Sequence, residues 1–217
     1  MQLFPGVLMA PRLQAPLTLL ERSLRVAFRS VRTRKAGGER IVEFEAWGRF
    51  LRDKAGRART EYYNPGTRPE EADPVVAILW NPLMRRITTI SFPERIFEHS
   101  KGPPLFPDEH EWRPAPAIDG VGFLSKLSDR QQIIHGLNCK HVELVPVPSM
   151  VPVPSETMLS AAKNEAWVAF DWGLVVSDVA ESDDLEVLWE VVTVDRTEPP
   201  ESAFSVPAGF VERNVTP

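Results

Sequence analysis

The sequence contains one cysteine, no apolar run long enough to span a membrane and no excess of positive charge. Cys139 has no partner for an internal disulfide, so cysteine usage does not indicate the redox compartment. Because no run approaches the ~18 apolar residues of a spanning helix, we expect no transmembrane segment. The net charge of −5 provides no general attraction to nucleic acid, so no nucleic-acid partner is expected.

The sequence also lacks an evident export signal and is poor in glycine relative to proline. Residues 1–17 are apolar, but they have no basic leader, and Pro5, Pro11 and Pro16 interrupt the apolar stretch. The 21 prolines, against 12 glycines, disfavour long uninterrupted helices. This composition favours a β protein with irregular connections.

A long strand followed by a returning tail is predicted near the C-terminus. Residues 185–195 alternate between apolar and acidic or polar positions, the period of a half-buried antiparallel strand. The prolines at 199–200 end the strand because proline cannot donate to a ladder. Phe204, Val206 and Phe210 then form spaced apolar anchors, which predicts a tail that packs back onto the fold.

Similar alternation elsewhere predicts about nine strands, nearly all joined as sequential hairpins. The predicted fold class is mainly β, a strongly curved antiparallel meander sheet that resembles half a barrel. A short N-terminal helix is predicted at residues 16–24, where leucines recur on one face. The predicted organisation is an N-terminal segment, residues 1–23, and a single antiparallel β domain, residues 24–217, with a long irregular loop at 92–122.

Four segments carry a family resemblance: GRFLRDKAGRARTEYY, ADPVVAILWNPLMRRI, EAWVAFDWGLVV and RTEPPESAFSVPAGF. The first contains an R-D-x-x-G-R-x-R-x-E pattern and the last an E-P-x-x-x-x-F-x-V-P pattern. Both resemble a family of uncharacterised proteins from soil bacteria, which is similar to the lipoprotein-carrier fold. The resemblance implies a half-barrel with an apolar concave face, and export to the periplasm or beyond. Because the family has no established catalytic residues, it implies neither an enzyme activity nor a cofactor.

Two groups of residues have side chains that could bind a metal. His135, Cys139 and His141 lie around a hairpin turn predicted at residues 136–138, and zinc or copper prefers such ligands. Their spacing matches no standard metal motif, so a structural hairpin with a half-buried cysteine is the favoured interpretation and a metal site the alternative. Two carboxylates also flank an imidazole at residues 108–111, where a solvated charge run is the favoured interpretation.

Arginines surround the predicted hairpin turn at residues 53–56. Arg49, Arg52, Arg57 and Arg59 flank this turn, with aromatic residues nearby. Such a hairpin suits binding of RNA or anionic headgroups. The favoured interpretation is that the arginines pair with Glu43, Glu45 and Glu61 across the strands, because the chain as a whole is acidic.

The apolar face of the sheet supplies the leading hypothesis of function, a non-enzymatic carrier or binder of a hydrophobic ligand such as an acyl chain, a lipid or an apolar peptide. The alternative is a structural or protein-interaction module with a filled core, whose partner would be another protein. No catalytic residue and no cofactor are predicted. The aromatic residues predicted to line a ligand groove are Trp47, Phe50, Trp80, Trp167, Phe170 and Trp189.

Overall fold

The alternating segments form the strands of one sheet in a computed structural model, which describes residues 22–101, 123–146 and 163–213. In chain order the twelve strands are β1 (Leu24–Ala36), β2 (Glu39–Arg52), β3 (Ala58–Tyr62), β4 (Val76–Asn81), β5 (Arg86–Ser91), β6 (Ile96–Lys101), β7 (Phe123–Ile134), β8 (Leu137–Pro146), β9 (Lys163–Ala169), β10 (Leu174–Glu181), β11 (Leu185–Asp195) and β12 (Val211–Glu212). Two short 3-10 helices follow β9 and β11, at Phe170–Trp172 and Glu201–Phe204.

The strand order confirms the mainly β, antiparallel prediction. Across the sheet the order is β12-β6-β5-β4-β3-β2-β1-β11-β10-β9-β8-β7. The pairs between β2 and β6 and those between β7 and β11 are antiparallel. The exception is β12, which pairs with β6 in parallel. The chain therefore forms two meanders, and the second returns along β11 to lie beside β1.

Two strands were not predicted. Residues 96–101 form β6 inside the segment predicted to be an irregular loop at 92–122, and residues 102–122 lie outside the described part. A turn at residues 92–95 ends β5 and starts β6. The tail adds the two-residue β12 beside it. The predicted helix at 16–24 lies largely outside the described residues, and Leu24 is instead the first residue of β1.

The described residues divide into two compact units. The first contains residues 30–45, 123–146 and 163–190, and its core includes Val142, Ala166 and Val168. Phe170 and Val175 pack against this cluster. Among the described residues of the chain, no helix has the length and hydropathy that crossing a membrane requires.

The second unit contains residues 22–29, 46–101 and 191–213. Its core includes Ala77, Leu79 and Ile90 on β4 and β5. Two of the predicted apolar anchors of the tail, Val206 and Phe210, pack against this cluster, and Phe210 lies edge-to-face with Phe92 at 5.4 Å. The predicted return of the tail onto the fold is confirmed.

Candidate functional site

Strands β2 to β4 and the start of β1 present four aromatic side chains on one face of the second unit. Directly paired residues of antiparallel strands share a face, so Phe50 lies with its partner Thr60, and Trp80 lies with its partner Ala58. Two residues beyond Thr60, Tyr62 lies on the same face, and its ring contacts Phe28 edge-to-face. We call this group the aromatic face: Phe28, Phe50, Tyr62 and Trp80.

Gly48 makes room for this arrangement. It pairs with Tyr62, and the ring of Phe28 lies over it. A Cβ at this position would overlap the Phe28 ring and come within 2.8 Å of the Glu61 carbonyl oxygen. The missing side chain therefore allows the two rings to pack across the strands.

The aromatic face contains buried polar atoms without a hydrogen bond to any described residue. Phe50 and Trp80 are each 2% exposed. The Trp80 Nε1 and the Tyr62 hydroxyl are buried and have no hydrogen-bond partner in the part of the chain that the structure describes. Burial also raises the pKa of Tyr62 to about 12. An unpaired buried polar group costs about 1–3 kcal/mol, so these two atoms oppose a dry core on this face.

A buried cation lies in the same row as Trp80. Arg52 pairs with Ala58, the partner of Trp80, and is 2% exposed. Its Nε donates to the Arg22 carbonyl oxygen at 2.9 Å. Burial and the charge of Arg22 lower the pKa of Arg52 to about 10. One end of the aromatic face is therefore polar.

The structure places the six predicted groove residues in several environments. Phe50 and Trp80 belong to the aromatic face. Trp47, at an odd position of β2, lies on the opposite face, where the guanidinium of Arg68 stacks over its ring at 5.4 Å.

The other three predicted groove residues belong to the first unit. Trp167 contacts the ring of His141 at 5.1 Å. Phe170 packs against the cluster around Val142. Trp189 is buried on β11. One groove lined by all six residues remains a prediction, and the geometry assigns Phe50 and Trp80 to one face of the second unit.

The opposite face of β2 and β3 contains a buried carboxylate that binds two arginines. Glu61 is 2% exposed. Its Oε1 accepts from Arg59 Nε at 2.6 Å, and its Oε2 accepts from Arg49 Nε at 2.6 Å and from the Tyr63 hydroxyl at 2.8 Å. Burial alone would raise the pKa of Glu61, but these hydrogen bonds and the two positive charges outweigh burial and hold the pKa below its usual range.

The C-terminal tail covers this second face. We call residues 199–210 the strap. Arg59 donates to the Ala203 carbonyl oxygen at 3.0 Å. Arg57 lies 3.4 Å from a Glu201 carboxylate oxygen and stacks over the Phe204 ring at 5.1 Å. The strap is therefore attached to the sheet through Arg59 on β3 and through Arg57, the residue just before β3.

The hairpin before β3 also holds the start of the strap. Asp53 accepts from the backbone nitrogen of Arg57 at 2.8 Å and from its Nε at 2.6 Å, while Gly56 has a φ of 75° in the turn. Glu198, just before the strap, accepts from the backbone nitrogen of Lys54 at 3.2 Å and from the Ser23 hydroxyl. The two sequence patterns that carry the family resemblance thus contact each other, which gives them a structural role.

A cleft of about 430 Å³ lies between the strap and the strands. Arg49, Leu51, Arg59 and Glu61 form its floor, and the strap forms its other side through residues 200–208. We call it the arginine cleft. The predicted pairing of Arg49 and Arg59 with a glutamate is confirmed for Glu61, whereas Glu43 instead pairs with Arg32 and Arg34.

The three residues considered as metal ligands occupy different positions in the β7–β8 hairpin. The turn consists of His135 and Gly136, with φ angles of 50° and 72°, rather than the predicted residues 136–138. His135 is exposed there, whereas Cys139 and His141 are buried on one face of β8. No group of three or more metal-binding side chains occurs among the residues that the structure describes. The segment 108–111 lies outside them.

His141 already has a hydrogen bond at each ring nitrogen. Its Nδ1 lies 3.1 Å from the Ser128 hydroxyl, and its Nε2 lies 3.0 Å from a Glu165 carboxylate oxygen. Cys139 donates its thiol to the Leu137 carbonyl oxygen at 3.4 Å, and burial raises the pKa of this thiol. These contacts give both residues a structural role in the first unit.

Sequence reasoning missed the burial of Glu61 and the part played by Tyr63. The available signal was the alternation of Arg57, Arg59, Glu61 and Tyr63 along one side of a strand. A central strand with polar residues on one side requires a cover, and the strap provides it.

No protein-family model matches the sequence, and no curated protein matches it. Solved structures that align with the chain include an uncharacterized conserved protein from Thermus thermophilus, with 11% identity, coverage of 87% of this chain and 90% of that chain, and a TM-score of 0.47. MucB in complex with MucA(peri) has 11% identity, covers 88% of this chain and 56% of its own, and has a TM-score of 0.44. A LolA superfamily protein from Nitrosomonas europaea has 11% identity, covers 85% and 90%, and has a TM-score of 0.30.

Proposed function

We propose that this protein is a non-enzymatic carrier or binder of an elongated hydrophobic ligand, which occupies the aromatic face. The observation that carries the proposal is a pair of buried polar atoms, Trp80 Nε1 and the Tyr62 hydroxyl, which have no hydrogen-bond partner among the described residues. A filled protein core rarely retains such atoms, because each lowers stability by about 1–3 kcal/mol. The apolar body of a ligand would pack against the aromatic rings, and its oxygen atoms would accept hydrogen bonds from the buried donors.

The spacing of the two donors supports an elongated ligand. Tyr62 pairs with Val76, and Trp80 is four residues further along β4, so the two residues are spaced roughly 13 Å apart along the strand direction. An acyl chain with a carboxyl, ester or amide group has the required shape, and its carbonyl oxygen can accept a hydrogen bond from one of these donors. The buried charge of Arg52 beside Trp80 favours the polar group of the ligand at that end.

Binding of oleate to delipidated protein tests this proposal, measured by displacement of the uncharged fluorescent probe N-phenyl-1-naphthylamine. Trp80→Phe keeps the ring but removes the donor, so we expect about fivefold weaker oleate binding, the loss of one hydrogen bond of about 1 kcal/mol. Trp47→Phe is the matched control, because Trp47 lies on the other face of the sheet, and it should bind oleate like the wild type.

Two outcomes would contradict the proposal. One is the absence of probe and oleate binding in the wild type, together with a ligand-free mass for protein purified from its own host, which would favour the filled-core interaction module. The other is equal weakening by Trp80→Phe and Trp47→Phe, which would place any bound ligand away from the aromatic face.

A further inference from the structure

The arginine cleft contains more positive than negative charge. Arg49 and Arg59 share the single carboxylate of Glu61 through their Nε atoms. Every oxygen of Glu61 is already hydrogen-bonded, one to Arg59 and the other to Arg49 and Tyr63. Two guanidinium groups and one carboxylate give the floor of the cleft a net positive charge.

The two arginines also have N–H donors that form no hydrogen bond with the described residues. Within residues 22–101, 123–146 and 163–213, Arg49 donates only its Nε, to Glu61, so both of its terminal nitrogens lack a partner. Arg59 donates its Nε to Glu61 and one terminal nitrogen to Ala203, which leaves the other terminal nitrogen. The terminal nitrogens of a guanidinium form a planar fork that matches two oxygens of a carboxylate or phosphate.

The surroundings of these donors strengthen their attraction for an anion. The Arg59 side chain is 9% exposed and that of Arg49 38%, so both charges are partly removed from water. Glu70 is the other acidic residue that raises the pKa of Arg49, and its effect is the smallest of those acting on that group. The strap adds the Ser202 side chain as a further neutral polar group in the cleft wall.

We propose that the arginine cleft is a binding site for a small ligand that bears an oxyanion, either a carboxylate or a phosphate. The ligand oxygens accept hydrogen bonds from the terminal nitrogens of Arg49 and Arg59, while Glu61 and Tyr63 hold the two guanidinium groups in place. The volume of about 430 Å³ fits a small molecule, and Leu51, Val206 and Pro207 offer its remainder an apolar wall. This site lies on the opposite face of β2 and β3 from the aromatic face, so the proposal does not depend on the hydrophobic ligand.

Titration of isotopically labelled full-length protein with inorganic phosphate, and separately with acetate, tests the proposal by NMR. We expect saturable shifts of the Arg49 Nε–H signal and of backbone amides in residues 200–208. Saturation by phosphate alone identifies a phosphate-bearing ligand, and saturation by acetate alone identifies a carboxylate-bearing ligand. Absence of saturable shifts at these positions with both anions would overturn the proposal.

Three variants make the test specific. Arg49→Gln removes the fork and should weaken anion binding by about tenfold or more, the loss typical of a charged hydrogen-bonding group. Ala208→Glu keeps both arginines but adds a competing carboxylate to the cleft wall, so it should abolish the shifts even if Arg49→Gln perturbs folding.

Arg85→Gln, in an exposed turn of the same unit, is the matched charge control and should bind like the wild type. Equal weakening by Arg85→Gln would show charge screening rather than a site, and unchanged binding by Ala208→Glu would exclude the cleft.

Discussion

The buried polar groups on the two faces of β2 and β3 differ in their hydrogen bonding. On one face, Arg49, Arg59 and Tyr63 donate hydrogen bonds to both oxygens of the buried Glu61, and the strap covers this cluster. On the other, the Tyr62 hydroxyl and Trp80 Nε1 are buried without a hydrogen bond among the described residues. Glu61 is fully hydrogen-bonded within the chain, whereas we propose that a ligand supplies the hydrogen-bond acceptors for Tyr62 and Trp80.

The largest expected effect concerns the covered face. Glu61→Gln leaves Arg49 and Arg59 without their shared carboxylate, so we expect the free energy of unfolding to fall by about 3 kcal/mol. Glu43→Gln is the control, because Glu43 pairs with the exposed Arg32 and Arg34 and should contribute less than about 1 kcal/mol. Chemical denaturation measures both. Equal losses would mean that the strap does not desolvate the Glu61 cluster.

A somewhat smaller effect is expected on the aromatic face. Gly48→Ala places a Cβ against the Phe28 ring, and such overpacking costs about 1–3 kcal/mol. The loss should shrink in a Phe28→Leu background, where the ring is absent, and thermal or chemical unfolding of the four proteins of this cycle measures the coupling. Independent, additive losses would show that the two residues do not share this face as described.

The pH dependence of stability provides a finer comparison. The pKa of Glu61 is lower in the folded protein than in the unfolded chain, so folding favours the ionised carboxylate. Its contribution is fully present above the unfolded pKa of about 4.3 and is lost as the pH falls through the lower folded pKa. Unfolding measured from neutral to acidic pH should therefore be less pH-dependent in Glu61→Gln than in the wild type. Identical profiles would contradict the stabilisation of the charged form.

Most of the strands could be predicted from the alternation of apolar and polar residues along the sequence. Residues 185–195 form β11 as predicted, and the apolar residues Val206 and Phe210 bring the tail back onto the sheet. Strand β6 was not predicted because the segment 96–101 is short and follows a turn that contains a proline. Its stability comes from pairing with β5 on one side and β12 on the other, which local sequence does not reveal.

The candidate sites were less accessible to sequence reasoning. The sequence does show that Trp47 and Phe50 lie on opposite faces of β2, because side chains at odd and even positions of one strand point to opposite faces. The burial of Glu61 could not be predicted in this way, because the strap that covers it lies about 140 residues later in the chain. A charged residue on a strand suggests a solvated face unless the covering segment is known.

The most direct test compares two neighbouring tyrosines in delipidated protein. Tyr63 donates to the buried Glu61, so Tyr63→Phe should lower the free energy of unfolding by about 2 kcal/mol. Tyr62 has its hydroxyl on the other face without a partner among the described residues, so Tyr62→Phe should leave that free energy unchanged or raise it by about 1 kcal/mol. A clear loss of stability in Tyr62→Phe would contradict the account, because it would mean that the protein itself satisfies the hydroxyl and that the aromatic face needs no ligand.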